Sequence, residues 1–188
     1  MLEINKNNLS EDQSPYLQQH KGNPVNWQVW SKDILDKAKE KKIPILLSIG
    51  YSSCHWCHVM AHESFEDKET ANLMNKYFIN IKVDREERPD IDYIFQSSYQ
   101  LFNQSGGGWP LTIFLDENAI PFMAGTYFPK EPSHGLPSFK EVILKVGETY
   151  KQQREEIIKE SSIISKSLEL RKSSVLDQDL ENILQNII

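Results

Sequence analysis

Cys54 and Cys57 are the two cysteines of the chain, and they stand two residues apart in the run Cys54-His55-Trp56-Cys57-His58. A bond between them closes almost no loop, so chain entropy gives it little structural value. The spacing admits three chemistries: a redox dithiol, a pair of metal ligands, or a c-type haem attachment, because Cys-x-x-Cys-His is satisfied literally. The surroundings separate these. Ile43 to Ile49 is a short apolar run of the kind that forms a buried parallel strand, with Pro44 at its entry. Gly50 to Ser53 turns the chain, and a helix is predicted from about Cys54 to Tyr77, with Val59, Phe65, Leu73 and Met74 as core residues. Cys54 then opens a helix, where unpaired amide N–H groups and the helix dipole favour its thiolate, the nucleophilic form. Cys57 lies one turn later on the same face, placed to resolve a mixed disulfide on Cys54. Protonated His55 or His58 would stabilise the thiolate further.

The rival chemistries fit less well. Haem attachment needs an exported apoprotein and a distal ligand, and the strand Ile43 to Ile49 leaves Cys54 at the mouth of a sheet. For a metal, Cys54, Cys57, His58 and His62 form a Cys/His cluster. On one helix, however, Cys54 and His62 lie about 12 Å apart along the axis. Zinc ligands sit about 2.0–2.3 Å from the ion, so those two cannot share it. A three-ligand set of Cys54, Cys57 and His58 stays open, with His62 read as a helix-surface residue. Trp109-Pro110 is the other feature of note. It follows Gly106-Gly107-Gly108 and opens a strand, where the proline can be cis or an ordinary trans residue.

The elements that position these residues follow from periodicity. Ser31 is the predicted N-cap of a helix to about Lys41, with Ile34, Leu35 and Ala38 on one face. Phe78 to Val83 is predicted as a strand, Asp84 to Pro89 as a charged turn, and Asp90 to Phe102 as a helix. Leu111 to Leu115 and Ile120 to Tyr127 are predicted strands. The short turn Asp116-Glu117-Asn118 between them makes them an antiparallel hairpin. Phe139, Val142, Ile143, Val146 and Tyr150 mark one face of a long final helix, and Lys151 to Lys159 its solvated surface. This order predicts an α/β fold with a mixed central sheet flanked by helices on both faces. The first thirty residues are irregular in pattern, punctuated by Pro15, Gly22 and Pro24. Tyr16, Leu17, Trp27 and Trp30 should anchor that arm on the domain.

With 188 residues, 39% hydrophobic and 26% charged, the chain is long enough for a domain that needs no staples. The formal charge of −6, from 21 basic and 27 acidic residues, gives no reason to expect nucleic acid or an anionic membrane as partner. No signal-like leader and no stretch of about 20 apolar residues is visible, so the reading is of a cytoplasmic protein.

A set of motifs stands in order along the chain. They are Ser14-Pro15-Tyr16-Leu17, Gln19-His20, Asn23-Pro24-Val25, Ser48-Ile49-Gly50-Tyr51-Ser52, Cys54 to Met60, Glu63 to Asp67 and Val83 to Asp92. Gly107-Gly108-Trp109-Pro110-Leu111 and Gly125-Thr126-Tyr127-Phe128-Pro129 complete it. Together they resemble the thioredoxin-like N-terminal domain of the spermatogenesis-associated protein family, over residues 5 to 130. The resemblance implies a thioredoxin fold with Cys54 as nucleophile, Cys57 as resolver and Pro110 as a cis proline facing them. It also implies that Trp56, Trp109 and Pro110 line the groove for an extended peptide. Two positions depart from expectation. Ser48 stands where thioredoxins proper carry a buried acid that serves the resolving thiol, and Asn26 stands where the family is expected to have Asp. The expected function is thiol-disulfide exchange with protein or small-molecule disulfides and no cofactor. The alternatives are a non-catalytic thioredoxin-fold scaffold for a helical partner, and a metal-binding domain.

The expected organisation is an arm over 1–30, a thioredoxin-like domain over 31–172 and an amphipathic tail over 173–188. In the tail Val175, Leu176, Leu180, Ile183, Leu184, Ile187 and Ile188 recur at helical spacing. Long relatives continue here into a helical domain, so the stripe is expected at a domain or subunit contact; folding back near Trp27 and Trp30 is the alternative.

Overall fold

A computed structural model describes residues 3–133 and 135–185, with the side chains of those up to 163 and of Lys166. Five strands form one sheet: β1 (Trp27–Val29), β2 (Ile45–Gly50), β3 (Ile79–Asp84), β4 (Leu111–Leu115) and β5 (Pro121–Gly125). Their spatial order is β1-β3-β2-β4-β5. The first three run parallel, and β4 and β5 add antiparallel, as the short 116–118 turn requires. The segment read as an irregular arm therefore also supplies an edge strand, with Trp27 opposite Asn80.

Six helices cover the sheet: α1 (Pro15–Gln19), α2 (Lys32–Lys41), α3 (His55–Met60), α4 (Lys68–Tyr77), α5 (Pro89–Asn103) and α6 (Phe139–Gln185). Strand alternation divides the core into two layers. Ile45, Leu47, Ile49, Ile79, Ile81, Val83, Leu111, Ile113 and Leu115 face α2 and α5, meeting Ile34, Ala38, Ile91 and Phe95. Leu46 and Phe114 face the other way, toward Tyr16 and Leu17 of α1, Cys57 and Met60 of α3, Met74 of α4 and Phe139, Val142, Ile143 and Val146 of α6. Ser48, Asn80, Lys82 and Thr112 occupy the same alternate positions and are buried as well. The polar residues of β3 thus lie under helices.

The helix expected over 54–77 is broken in two. α3 ends in a π-helical turn over Ala61–Phe65, and α4 starts afresh at Lys68. Asp67 is the cause: its carboxylate caps α4 by accepting from the Thr70 N–H at 2.8 Å and the Thr70 hydroxyl at 2.6 Å. Phe65 and Met74 are buried as expected, whereas Val59 and Leu73 are half-buried. Ser31 caps α2 through the Ile34 N–H.

Along α6 the backbone leaves helical geometry at Gln153. Beyond that point Arg154 pairs with the buried Glu117, which also accepts from the Tyr150 hydroxyl at 2.9 Å. The Ser161 hydroxyl donates to Asp116 at 2.8 Å, so the β4–β5 turn holds the helix from Tyr150 to Ser161, about three turns of its length. The side chains of the expected apolar stripe, Val175 to Ile188, lie outside the described residues.

Candidate functional site

β2 is the central strand, and the chain leaves its C-terminal end through Tyr51–Ser53 into α3. Cys54 is the N-cap of α3: its Sγ accepts from the Cys57 N–H at 3.2 Å. This places sulfur where a capping oxygen ordinarily sits, at the positive end of the helix dipole. Cys54 and Cys57 are joined by a disulfide, with Cα atoms 5.2 Å apart, and both side chains are buried, at 3% and 1% exposure. Among the described residues no three His, Cys, Asp or Glu side chains gather closely enough to hold a metal ion. His58 Nε2 lies 2.8 Å from the Ser52 carbonyl oxygen, bracing the turn that delivers Cys54. His62 is on the surface beside Glu66, at 3.1 Å.

Aromatic residues surround the approach. Trp56 is 52% exposed and packs between His55, at 5.6 Å between ring centroids, and Tyr127, at 5.0 Å. The Tyr127 hydroxyl donates to Glu63 at 2.6 Å; burial first and then this carboxylate push the phenol up to about 12. Trp109 meets Tyr51 edge-on at 5.9 Å. The Trp109–Pro110 peptide bond is cis. Because Ile49 pairs with Leu111, Pro110 lies beside the end of β2 from which the Cys54 turn departs.

Sequence reasoning missed the residues that hold Trp109. Its indole N–H donates to Asp92 at 2.8 Å, the Arg85 guanidinium lies 3.9 Å over its ring centroid, and Arg85 bridges to Asp92 at 3.3 Å. Both partners stand in the Val83–Asp92 block, but nothing in their spacing points at a tryptophan of the loop before β4. That loop is fixed from the other side, where Gln96 donates to the Gly108 carbonyl at 3.2 Å. A side chain at Gly107 would collide with Gln96, its Cβ lying 1.9 Å from Oε1.

Beneath the disulfide is a second group that the sequence did not reveal. Lys82 is 1% exposed, and its Nζ lies 4.4, 4.9 and 5.1 Å from the ring centroids of Phe65, Trp27 and Tyr16. It donates to Ser48 Oγ at 3.0 Å. Desolvation holds the amine well below the usual lysine range. So the position where thioredoxins carry an acid is here a serine paired with a buried lysine. Nearby, Ser14 caps α1 and donates to Asp84 at 2.6 Å. His20 stands 3.0 Å from Asn23, and burial lowers it to about 2.

A mixed five-stranded sheet in this order, with a Cys-x-x-Cys pair opening the helix after the central strand, is a thioredoxin-like domain. The sequence profile of the Thioredox_DsbH family, described as a protein of unknown function (DUF255), matches residues 6–169, and the chain belongs to that family. It is 43% identical over 175 residues to human spermatogenesis-associated protein 20, covering 93% of this chain and 22% of that protein. It is also 43% identical over 166 residues to the uncharacterized protein B0495.5 of Caenorhabditis elegans, covering 85% of this chain and 23% of that one. The chain thus spans less than a quarter of the length of these relatives. Among solved structures, a DsbH oxidoreductase superposes with a TM-score of 0.49 at 18% identity, covering 68% of this chain and 85% of its own. A disulphide isomerase from Xylella fastidiosa Temecula1 does so with a TM-score of 0.44 at 17% identity, covering 61% and 86%. Among the described residues no helix is long and apolar enough to cross a membrane.

Proposed function

We propose that this domain exchanges disulfides through Cys54 and Cys57. The observation that carries the reading is the capping role of Cys54: its sulfur receives a backbone N–H at a helix start, an arrangement that stabilises a thiolate there once the disulfide opens. In the reducing direction, the Cys54 thiolate attacks one sulfur of a substrate disulfide. A Cys54–substrate bond forms, the substrate S–S bond breaks, and the second substrate sulfur leaves as a thiolate. Cys57, as thiolate, then attacks Cys54 Sγ, forming the intramolecular disulfide and releasing the first substrate sulfur. The two electrons taken up by the substrate come from the protein dithiol, which an external thiol must restore. Trp56 and Tyr127, with Trp109 held by Asp92 and Arg85, supply an aromatic surface suited to an extended peptide.

Trapping tests this. With Cys57→Ser, mixed disulfides should accumulate on Cys54 when the reduced protein meets a disulfide peptide, and Cys54→Ser should form none. Equal, slight effects of both changes would favour a non-catalytic module.

A further inference from the structure

Tyr16 of α1 is fully enclosed, edge-on to His20 at 4.9 Å. Its hydroxyl is a buried polar group without a hydrogen-bond partner among the described residues, a state that proteins seldom tolerate without a use. Gly50 shows what it faces. A Cβ at Gly50 would lie 2.3 Å from the Tyr16 hydroxyl oxygen and 2.7 Å from Cys57 Sγ, so the two atoms lie within about 5 Å of one another. The missing side chain at Gly50 leaves the way between them open. Other donors in this layer are engaged: Ser14 with Asp84, Lys82 with Ser48, His20 with Asn23.

We infer that the Tyr16 hydroxyl is the hydrogen-bond donor to the Cys57 thiolate of the reduced protein, a positioning residue that readies the resolving sulfur. The inference rests on the disulfide-exchange reading above. In the disulfide the Cys57 sulfur is neutral and a weak acceptor. Opening the bond frees its side-chain torsion and, once the thiol ionises, creates a charged acceptor beside an uncommitted donor. In the resolving step the Cys57 thiolate bonds to Cys54 Sγ and the substrate thiolate departs, taking from solvent the proton that Cys57 released. The groups facing Tyr16 keep its proton in place. Burial and the Asp84 carboxylate push the phenol up, while Lys82 and His20 are both held low by burial. The Cys57 Cβ shift therefore reports the thiol itself, while the buried phenol keeps its proton.

The test is a carbon-13 Cβ titration of both cysteines in the chemically reduced full chain, comparing wild type with Tyr16→Phe. The Cys57 midpoint should rise by about one pH unit or more in Tyr16→Phe, reflecting the roughly tenfold or greater preference that a hydrogen bond to a charged acceptor confers. Release of thiol from a preformed Cys54 mixed disulfide should slow roughly three- to fourfold below the Cys57 midpoint, the lost thiolate fraction being partly offset by its higher nucleophilicity, with Cys54 alkylation unchanged. An unmoved Cys57 midpoint in a folded Tyr16→Phe protein overturns the inference. If that variant does not fold, 3-fluorotyrosine at position 16, whose hydroxyl is more acidic, should lower the Cys57 midpoint, and no shift would overturn it equally. A wild type that exchanges with no disulfide would instead defeat the exchange reading, and the titration would still report the Tyr16–Cys57 contact.

Discussion

Replacing Lys82 by methionine isolates the cost of the amine beneath the disulfide. Met keeps most of the apolar stem and fills similar space, so the change removes mainly the polar head. An ammonium here would gain one hydrogen bond to a neutral hydroxyl and contact with three rings, worth about 1.5–3 and about 0.5–2 kcal/mol respectively. Against these stands the desolvation of a full charge, several kcal/mol even after relaxation. No carboxylate bridges to Lys82 among the described residues, and burial therefore shifts the amine toward its neutral form. Its native pKa is depressed, so between that value and about 10.4 the unfolded chain binds one proton more than the folded one. Stability from this group consequently rises with pH, by about 1.36 kcal/mol per unit across that window. Urea unfolding of wild type and Lys82→Met at pH 7, 8 and 9 reads it directly. The variant's stability relative to wild type should be greatest at the lowest of these pH values and should fall as pH rises through the window between the depressed native value and about 10.4. A difference independent of pH would mean that the native lysine stays charged and that desolvation does not set its state.

Two further outcomes follow from the same layer and its borders. Gly50→Ala should cost about 1–3 kcal/mol by urea unfolding, because the new methyl would meet both the Tyr16 hydroxyl and Cys57 Sγ inside normal contact distance; a change below about 0.5 kcal/mol would contradict the packing. Asp67→Ala should cost about 1 kcal/mol through loss of the α4 cap. The Thr70 hydroxyl and N–H hold the Asp67 carboxyl down to about 2, so that contribution is complete above the unfolded value near 4 and fades as pH falls toward 2. Acid titration of the stability difference checks it.

The sheet was legible because its signals are local. The apolar run to Ile49, the alternation in β3 and the three-residue turn before β5 lead to a mixed sheet with helices on both faces. Cys54 and Cys57 were legible for the same reason, since strand, turn and dithiol adjoin in sequence. What escaped depends on distant partners. Trp27–Val29 carries too few residues for a period, and its strand exists through pairing with β3. Lys82 sits in a strand whose alternation sets it apart from the apolar set, yet α1, α3 and α4 close over that face too. The break at Asp67 has a local signal, an Asp ahead of Thr70 in capping position, which the reading of one helix from Cys54 to Tyr77 passed over. Arg85, Asp92 and Trp109 meet only once α5 and the loop before β4 are in place.

If the Cys54–Cys57 bond is an exchangeable couple and not a fixed staple, its reduction potential must lie among those of redox-active dithiols. Equilibration of the full chain in glutathione buffers of graded poise, quenched by alkylation and read by intact mass, measures its potential. A single two-electron transition is expected between about −120 and −270 mV, the range of thioredoxin-like oxidoreductases. A pair that remains oxidised at poises below about −300 mV, where structural disulfides lie, would contradict it.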